Sequence, residues 1–200
     1  MPNVDGYVDL GASFSRTWSL CGNDGRPSAF REQAYPVFLG LLFRIFGQSY
    51  AALLIAHCFL GVGMLALIFL LGRDLYGEDT GLAALAVGTF YPPFVYYTAQ
   101  PLRETFLGFT STLALWLLVR ARRRNSSRSY AAAGAAEAAA VLTKSTLLPF
   151  GLVLAPFGLW FVERDRPGKK GRFFAAYLAV FIGIFGLWPL RNQLVLGVPI

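Results

Sequence analysis

Long apolar runs alternate along this chain with short polar or basic breaks. A helix needs about 20 apolar residues, within a range of about 17–25, to cross a bilayer core. The run 51–72 meets that length and stops at Arg73-Asp74. A second run, 80–98, closes on Tyr91-Pro92-Pro93 and Tyr96-Tyr97, residues suited to an interface and a helix terminus. A third, 102–119, is clearest from residue 107 onward and runs directly into Arg120, Arg122, Arg123 and Arg124.

The stretch 130–162 is too long for one crossing: about 32 helical residues would measure roughly 48 Å. Lys144-Ser145, Pro149 and Pro156 interrupt it, so the pattern predicts two crossings, 130–143 and 146–162. The first is Ala-rich, and small residues let helices approach closely. A last crossing covers 173–190 and ends at Trp188-Pro189. The segment 36–47 is apolar but short and contains Arg44, so it predicts a helix lying at the membrane surface. The sum is an all-α, polytopic bundle of about six spans plus an interfacial helix within a first loop, residues 1–50. The whole chain forms one transmembrane domain, expected to be incomplete at both ends and without a signal peptide of its own.

Composition fits this picture. Of 200 residues, 56% are hydrophobic and 14% charged, against about 45–50% and 25% in soluble domains. A soluble enzyme, a disordered chain and a disulfide scaffold are poor fits, and two cysteines cannot build a framework. The net charge of +7 does not point to nucleic acid, because the basic residues sit in short clusters between apolar runs. With six crossings, the loops 73–79, 120–129 and 163–172 share one side. They hold Arg73, then Arg120, Arg122, Arg123, Arg124 and Arg128, then Arg164, Arg166, Lys169, Lys170 and Arg172, 11 of the 18 basic residues. Positive charge in short loops marks the cytoplasmic side. Residues 1–50, 99–104, 144–145 and 191–200 then face outward.

The outward segments carry few polar residues: Asp5, Asp9, Asp24 and Glu32, then Arg103 and Glu104, then Lys144, then Arg191 and Asn192. Separate segments thus deliver charge to one membrane face, where a carboxylate can act as base and Lys or Arg can hold phosphate. Interfacial anchoring is the plain alternative for Lys144 and Arg191. Glu104 re-enters apolar surroundings, where a carboxylate is costly unless paired or coordinated; function and a structural pair with Arg103 both account for it. His57 and Glu137 fall at mid-span and are read as bundle-facing groups. No phosphate-cradling glycine loop, zinc spacing or nucleophile elbow is present.

These features, in this order, resemble the GT-C membrane glycosyltransferases that use polyprenyl-phosphate sugars, in the branch of protein O-mannosyltransferases and aminoarabinose transferases. The carriers are Asp5-Gly6-Tyr7, Tyr35-Pro36, Leu42-Phe43-Arg44-Ile45-Phe46-Gly47 and Gly72-Arg73-Asp74-Leu75-Tyr76-Gly77. They continue with Tyr91-Pro92-Pro93, Leu102-Arg103-Glu104-Thr105-Phe106, Leu142-Thr143-Lys144-Ser145 and Trp188-Pro189-Leu190-Arg191-Asn192. The resemblance implies a GT-C-like fold in the plasma or inner membrane, with its active face periplasmic or extracellular. It implies Asp5 as catalytic base or acceptor-positioning group and Glu104 as a second catalytic carboxylate. Arg103, Lys144 and Arg191 become the residues near the lipid phosphate. It implies no certain cofactor and leaves room for a divalent metal ion at Asp5 and Glu104. The partners are a polyprenyl-phosphate-linked sugar donor, a protein or lipid acceptor and membrane lipids, with no nucleic acid. Two departures stand out: Gly6 follows Asp5 where a second acidic residue is common, and Lys144-Ser145 stands where Arg-Pro is more usual.

Two readings from other classes remain. A transporter or flippase of a lipid-linked or anionic substrate would use Glu137 and His57 as a proton relay. A non-catalytic membrane subunit would need neither set of residues.

Overall fold

The computed structural model describes residues 5–22, 24–162 and 167–199. Among these residues there is no strand, only an isolated bridge between Cys21 and Pro27. Helices follow in the order α1 (Tyr7–Thr17), α2 (Ala34–Phe46), α3 (Tyr50–Tyr76), α4 (Glu78–Thr89) and α5 (Pro92–Thr98). Then come α6 (Glu104–Arg124) and α7 (Ser127–Val141). A 3-10 turn (Ser145–Leu147) and a π turn (Phe150–Leu154) lead into α8 (Ala155–Val162), followed by α9 (Pro167–Phe185) and α10 (Leu187–Leu196).

Local chemistry sets the ends. Ser49 caps α3 by accepting from the Ala52 amide at 3.3 Å, satisfying one orphan donor of the first turn. Gly77 separates α3 from α4 at φ 103°, a conformation that side chains with a Cβ rarely adopt. Pro92 and Pro93 open α5, where a missing N–H costs nothing.

Among the described residues two stretches are both long and apolar enough to cross a membrane by length and composition alone: α3 with mean hydropathy 2.5, and Gly168–Leu196 across α9 and α10 with 2.0. Only 22% and 17% of their apolar windows are buried, the reverse of a core helix in a soluble protein. Ile55, Phe59 and Val62 on α3 are 58%, 73% and 66% exposed. Their i, i+4, i+7 spacing makes one continuous apolar stripe that water would not tolerate at this scale and lipid would.

The structure differs from the sequence pattern in three places. Residues 80–98 are not one helix: α4 has 12 residues, about 18 Å of rise, and the chain breaks at Phe90 and Tyr91 before α5. Proline is the cause, because a helix cannot pass through Pro92-Pro93 without losing backbone bonds and meeting ring clashes. The first loop contains an extra helix, α1, for which its mixed Gly, Ser and Asp composition gave little signal. The final stretch begins earlier and ends later than 173–190, and Gly186 divides it. Within the loop 163–172, residues 163–166 lie outside the described residues, and with them Arg164 and Arg166.

Two cores result. One joins α1, α2 and α3 through Tyr7, Tyr35, Leu39, Phe43 and Leu53. The other joins α6, α7, α8 and α9 through Ala121, Tyr130, Ala133, Tyr177 and Phe181. Gly134 lets α7 lie against the α9 backbone; a Cβ there would stand 2.4 Å from the Tyr177 carbonyl oxygen. The bundle has two chemically distinct ends. At one, Arg103 beside the start of α6 meets the Thr143 carbonyl just beyond α7. At the other, Asp74 in α3 bonds Arg123 at 3.0 Å and Trp116 at 3.2 Å.

Candidate functional site

The first end gathers charges from four segments. Asp5 stands one residue before Gly6, whose φ of 76° turns the chain into α1. That left-handed conformation explains the glycine after Asp5: an aspartate in its place would be strained. The Asp5 carboxylate lies 3.6 Å from Arg31, and Arg31 Nε donates to the Asp5 carbonyl at 3.0 Å. Asp5, Asp9, Ser28, Phe30 and Arg31 line an open cavity of about 250 Å³. Asp9 also borders a neighbouring polar cavity of about 410 Å³ with Arg16, Cys21 and Gln48.

Glu32 is the hub beside it. Its carboxylate is ion-paired with Arg103 and accepts from the Ser145 amide at 3.3 Å and the Ser145 hydroxyl at 3.2 Å. Burial alone would raise the Glu32 pKa. Hydrogen bonds from its own backbone and from Ser145, with the Arg103 guanidinium alongside, outweigh that and hold it below the usual carboxylate value. Arg103 Nη1 also donates to the Thr143 carbonyl at 3.2 Å, so one nitrogen serves both partners. Its Nε and Nη2 make no further hydrogen bond among the described residues.

Beneath the charges lies an aromatic floor. Both Arg31 and Arg103 sit over the Tyr7 ring, at 5.4 and 5.8 Å from its centroid. Tyr7 packs edge-on against Tyr35 at 5.3 Å, and the Tyr35 hydroxyl shares a 3.1 Å hydrogen bond with His57 Nε2. Burial pushes the Tyr35 phenol upward and the nearby Glu104 carboxylate adds to the shift. Glu104 opens α6, and its Oε2 is buried with no hydrogen-bond partner among the described residues. A buried acceptor left without a donor carries a desolvation cost.

The site residues named from sequence therefore divide. Asp5, Arg103 and Glu104 border this assembly, and half-buried Lys144 sits between Thr143 and Ser145, both of which hydrogen-bond into it. Arg191 reaches the first loop, including the cavity residue Ser28. Its guanidinium donates to the carbonyls of Ser28 (3.1 Å) and Leu20 (3.2 Å) and to Asn192 Oδ1 (3.0 Å), clamping the first loop. His57 is bundle-facing and fully buried, yet it is the eighth residue of α3, about 10 Å from that helix's start, and through Tyr35 it joins the cluster at this end rather than the mid-bundle. Glu137, 2% exposed, stays apart in the second core.

Sequence gave no reason to single out Glu32, Arg31 or Ser145 among the polar residues. The one available signal was opposite charges side by side immediately before an apolar helix. Among the described residues no three His, Cys, Asp or Glu side chains are grouped to hold a metal ion. Asp5 and Glu104 alone do not make a complete donor set.

Comparison with known proteins places the chain. Residues 34–189 match the sequence model of the dolichyl-phosphate-mannose-protein mannosyltransferase family, and the chain belongs to that family. The match contains Arg103, Glu104 and Lys144 and leaves Asp5 and Arg191 outside it. No curated protein and no solved structure matches significantly.

Proposed function

We propose that this membrane protein, as a member of that mannosyltransferase family, moves a sugar from a polyprenyl-phosphate donor to a hydroxyl of a protein or lipid acceptor. The observation that carries the reading is the convergence of residues 5–7, 31–35, 103–104 and 143–145 on one end of the bundle. That convergence sets an acidic cavity beside guanidinium groups with unused donors. The apolar runs make about six crossings, with this end outward at the plasma or inner membrane. The opposite end, with Arg73 and Arg120 through Arg128, faces the cytoplasm.

In the reaction, the acceptor oxygen attacks C1 of the sugar while the bond from C1 to the phosphate oxygen breaks. The hydroxyl proton passes to the Asp5 carboxylate, which Arg31 orients at the cavity wall. Polyprenyl phosphate departs carrying the negative charge, and Arg103 and Lys144 stabilise it. Glu32 holds Arg103 in place for that task. Glu104, with an unpaired buried oxygen, accepts a hydrogen bond from a sugar hydroxyl. The sugar is mannose or a related hexose or pentose.

The test is sugar transfer from a polyprenyl-phosphate donor by the full chain in proteoliposomes. Asp5→Asn should reduce turnover by about 10²–10⁴-fold, as loss of a general base does, and Glu104→Gln by roughly 10–100-fold, as loss of a charged hydrogen-bond acceptor does. Wild-type turnover in both variants would overturn the site. A transporter reading draws on Glu137, which packs beside the π turn at Gly151, a helical irregularity frequent at functional sites. Glu137→Gln separates the two: it stops transport under that reading and leaves sugar transfer intact under ours.

A further inference from the structure

The basic cluster at the end of α6 is split between two faces. Arg122 and Arg123 border a cavity that also contains Asp74, and Arg123 is hydrogen-bonded to that carboxylate. Arg120 and Arg124 turn the other way. With Arg128 and Ser129 from the first turn of α7, and Trp116 and Ala132 as walls, they line a separate cavity of about 360 Å³.

No carboxylate lines this second cavity, and none of its three arginines forms an ion pair among the described residues. Arg120 and Arg124 are four residues apart on one helix, a spacing at which like charges repel. Arg128 adds a third positive charge from the neighbouring helix. Among the described residues the compensation is partial: the Arg120 guanidinium stacks over the Trp116 ring at 4.7 Å. Trp116 is itself held by its Nε1 donating to Asp74 at 3.2 Å. The positive end of the α7 dipole also points into this region. Three guanidinium groups converging on an aromatic wall, with no counter-charge among the described residues, form a receptor for an anion.

Depth identifies the anion. Counting along α6 from Glu104, Trp116 lies about 18 Å, Arg120 about 24 Å and Arg124 about 30 Å away. The hydrocarbon core is about 30 Å thick. With Glu104 at one boundary, the cavity straddles the other, at the level where lipid phosphates sit and Trp side chains collect.

We propose that Arg120, Arg124 and Arg128, with Trp116, bind the phosphate headgroup of an anionic phospholipid in the leaflet opposite the catalytic end. The guanidinium forks take the phosphate oxygens, and the acyl chains lie along the apolar flank of α6 and α7. The site rests on α6 crossing the membrane, and its readout does not depend on sugar transfer.

The experiment is native mass spectrometry of the full chain released from nanodiscs of phosphatidylcholine doped with phosphatidylglycerol, counting retained lipids. The wild type should retain phosphatidylglycerol over phosphatidylcholine by at least about tenfold, and the Arg120→Gln/Arg124→Gln/Arg128→Gln variant should lose that preference. Arg122→Gln, on the other face, should keep it. The triple lysine variant keeps the charge that orients the helix and should keep a preference. Equal retention of both lipids by the wild type overturns the proposal with no variant needed. Displacement of the lipid by millimolar inorganic phosphate would assign the site to a soluble phosphate and overturn it too.

Discussion

Glu32, two residues before α2, forms an ion pair with Arg103, 71 residues later and one residue before α6. The pair ties the first loop to the bundle and fixes the guanidinium beside the residues around Asp5 and Ser145. Both side chains are mostly shielded from water, 17% exposed for Arg103 and 24% for Glu32. Removing one partner leaves a poorly solvated charge behind. Glu32→Gln should therefore cost about 1–3 kcal/mol, and so should Arg103→Gln. The double variant should cost less than the sum of the two. Denaturation of the four proteins in detergent gives the coupling directly, and strict additivity would remove the pair from the account.

The same carboxylate predicts a pH dependence. Its folded pKa lies below its ordinary value of 4.5, so its contribution to stability is present above about 4.5. That contribution is lost as pH falls through the lower folded value. Melting temperature in detergent, followed downward from pH 6, should drop more steeply in the wild type than in Glu32→Gln. Parallel curves would show that Glu32 is not depressed.

Tyr35→Phe deletes the hydroxyl that His57 Nε2 meets at 3.1 Å inside a fully buried cluster. The imidazole nitrogen loses its partner, at a cost of about 1–3 kcal/mol. Tyr35→Phe combined with His57→Leu should recover part of that loss, because no orphaned polar atom remains. Thermal unfolding of the single and double variants checks it.

Gly134 and Gly158 make a matched pair. A Cβ on Gly134 meets the Tyr177 carbonyl oxygen at 2.4 Å, whereas one on Gly158 meets nothing within 4 Å. Gly134→Ala should separate α7 from α9 and destabilise by about 1–3 kcal/mol. Gly158→Ala should be neutral or slightly stabilising, since alanine is the better helix former.

Gly6 sits at φ 76° between Asp5 and α1. Gly6→Ala should cost about 1–2 kcal/mol from left-handed strain alone, although a Cβ there meets no neighbour. Unchanged stability in urea titration would mean that the turn relaxes without loss.

Apolar run length and the placement of arginine were enough to define an all-helical membrane protein and to locate α2, α3 and α6, because lipid imposes those patterns on sequence one helix at a time. Pro92-Pro93 was equally visible, yet its consequence, a break into α4 and α5, outweighed the apolar character of 80–98. Arg103, Glu104 and Lys144 were legible as charges at the ends of apolar runs, whereas Asp5 stood out only through the family resemblance. Tertiary structure alone decided their partners: Arg31 for Asp5, Glu32 and Thr143 for Arg103, and, among the described residues, no hydrogen-bond partner for Glu104 Oε2. It also turned Arg191 into a clamp on the Leu20 and Ser28 carbonyls and drew His57 to Tyr35. The physical reason is one of range. Hydrophobic periodicity is written locally along each helix, whereas a hydrogen bond or ion pair forms between whichever groups packing brings within about 3 Å, and that meeting has no local trace in the chain.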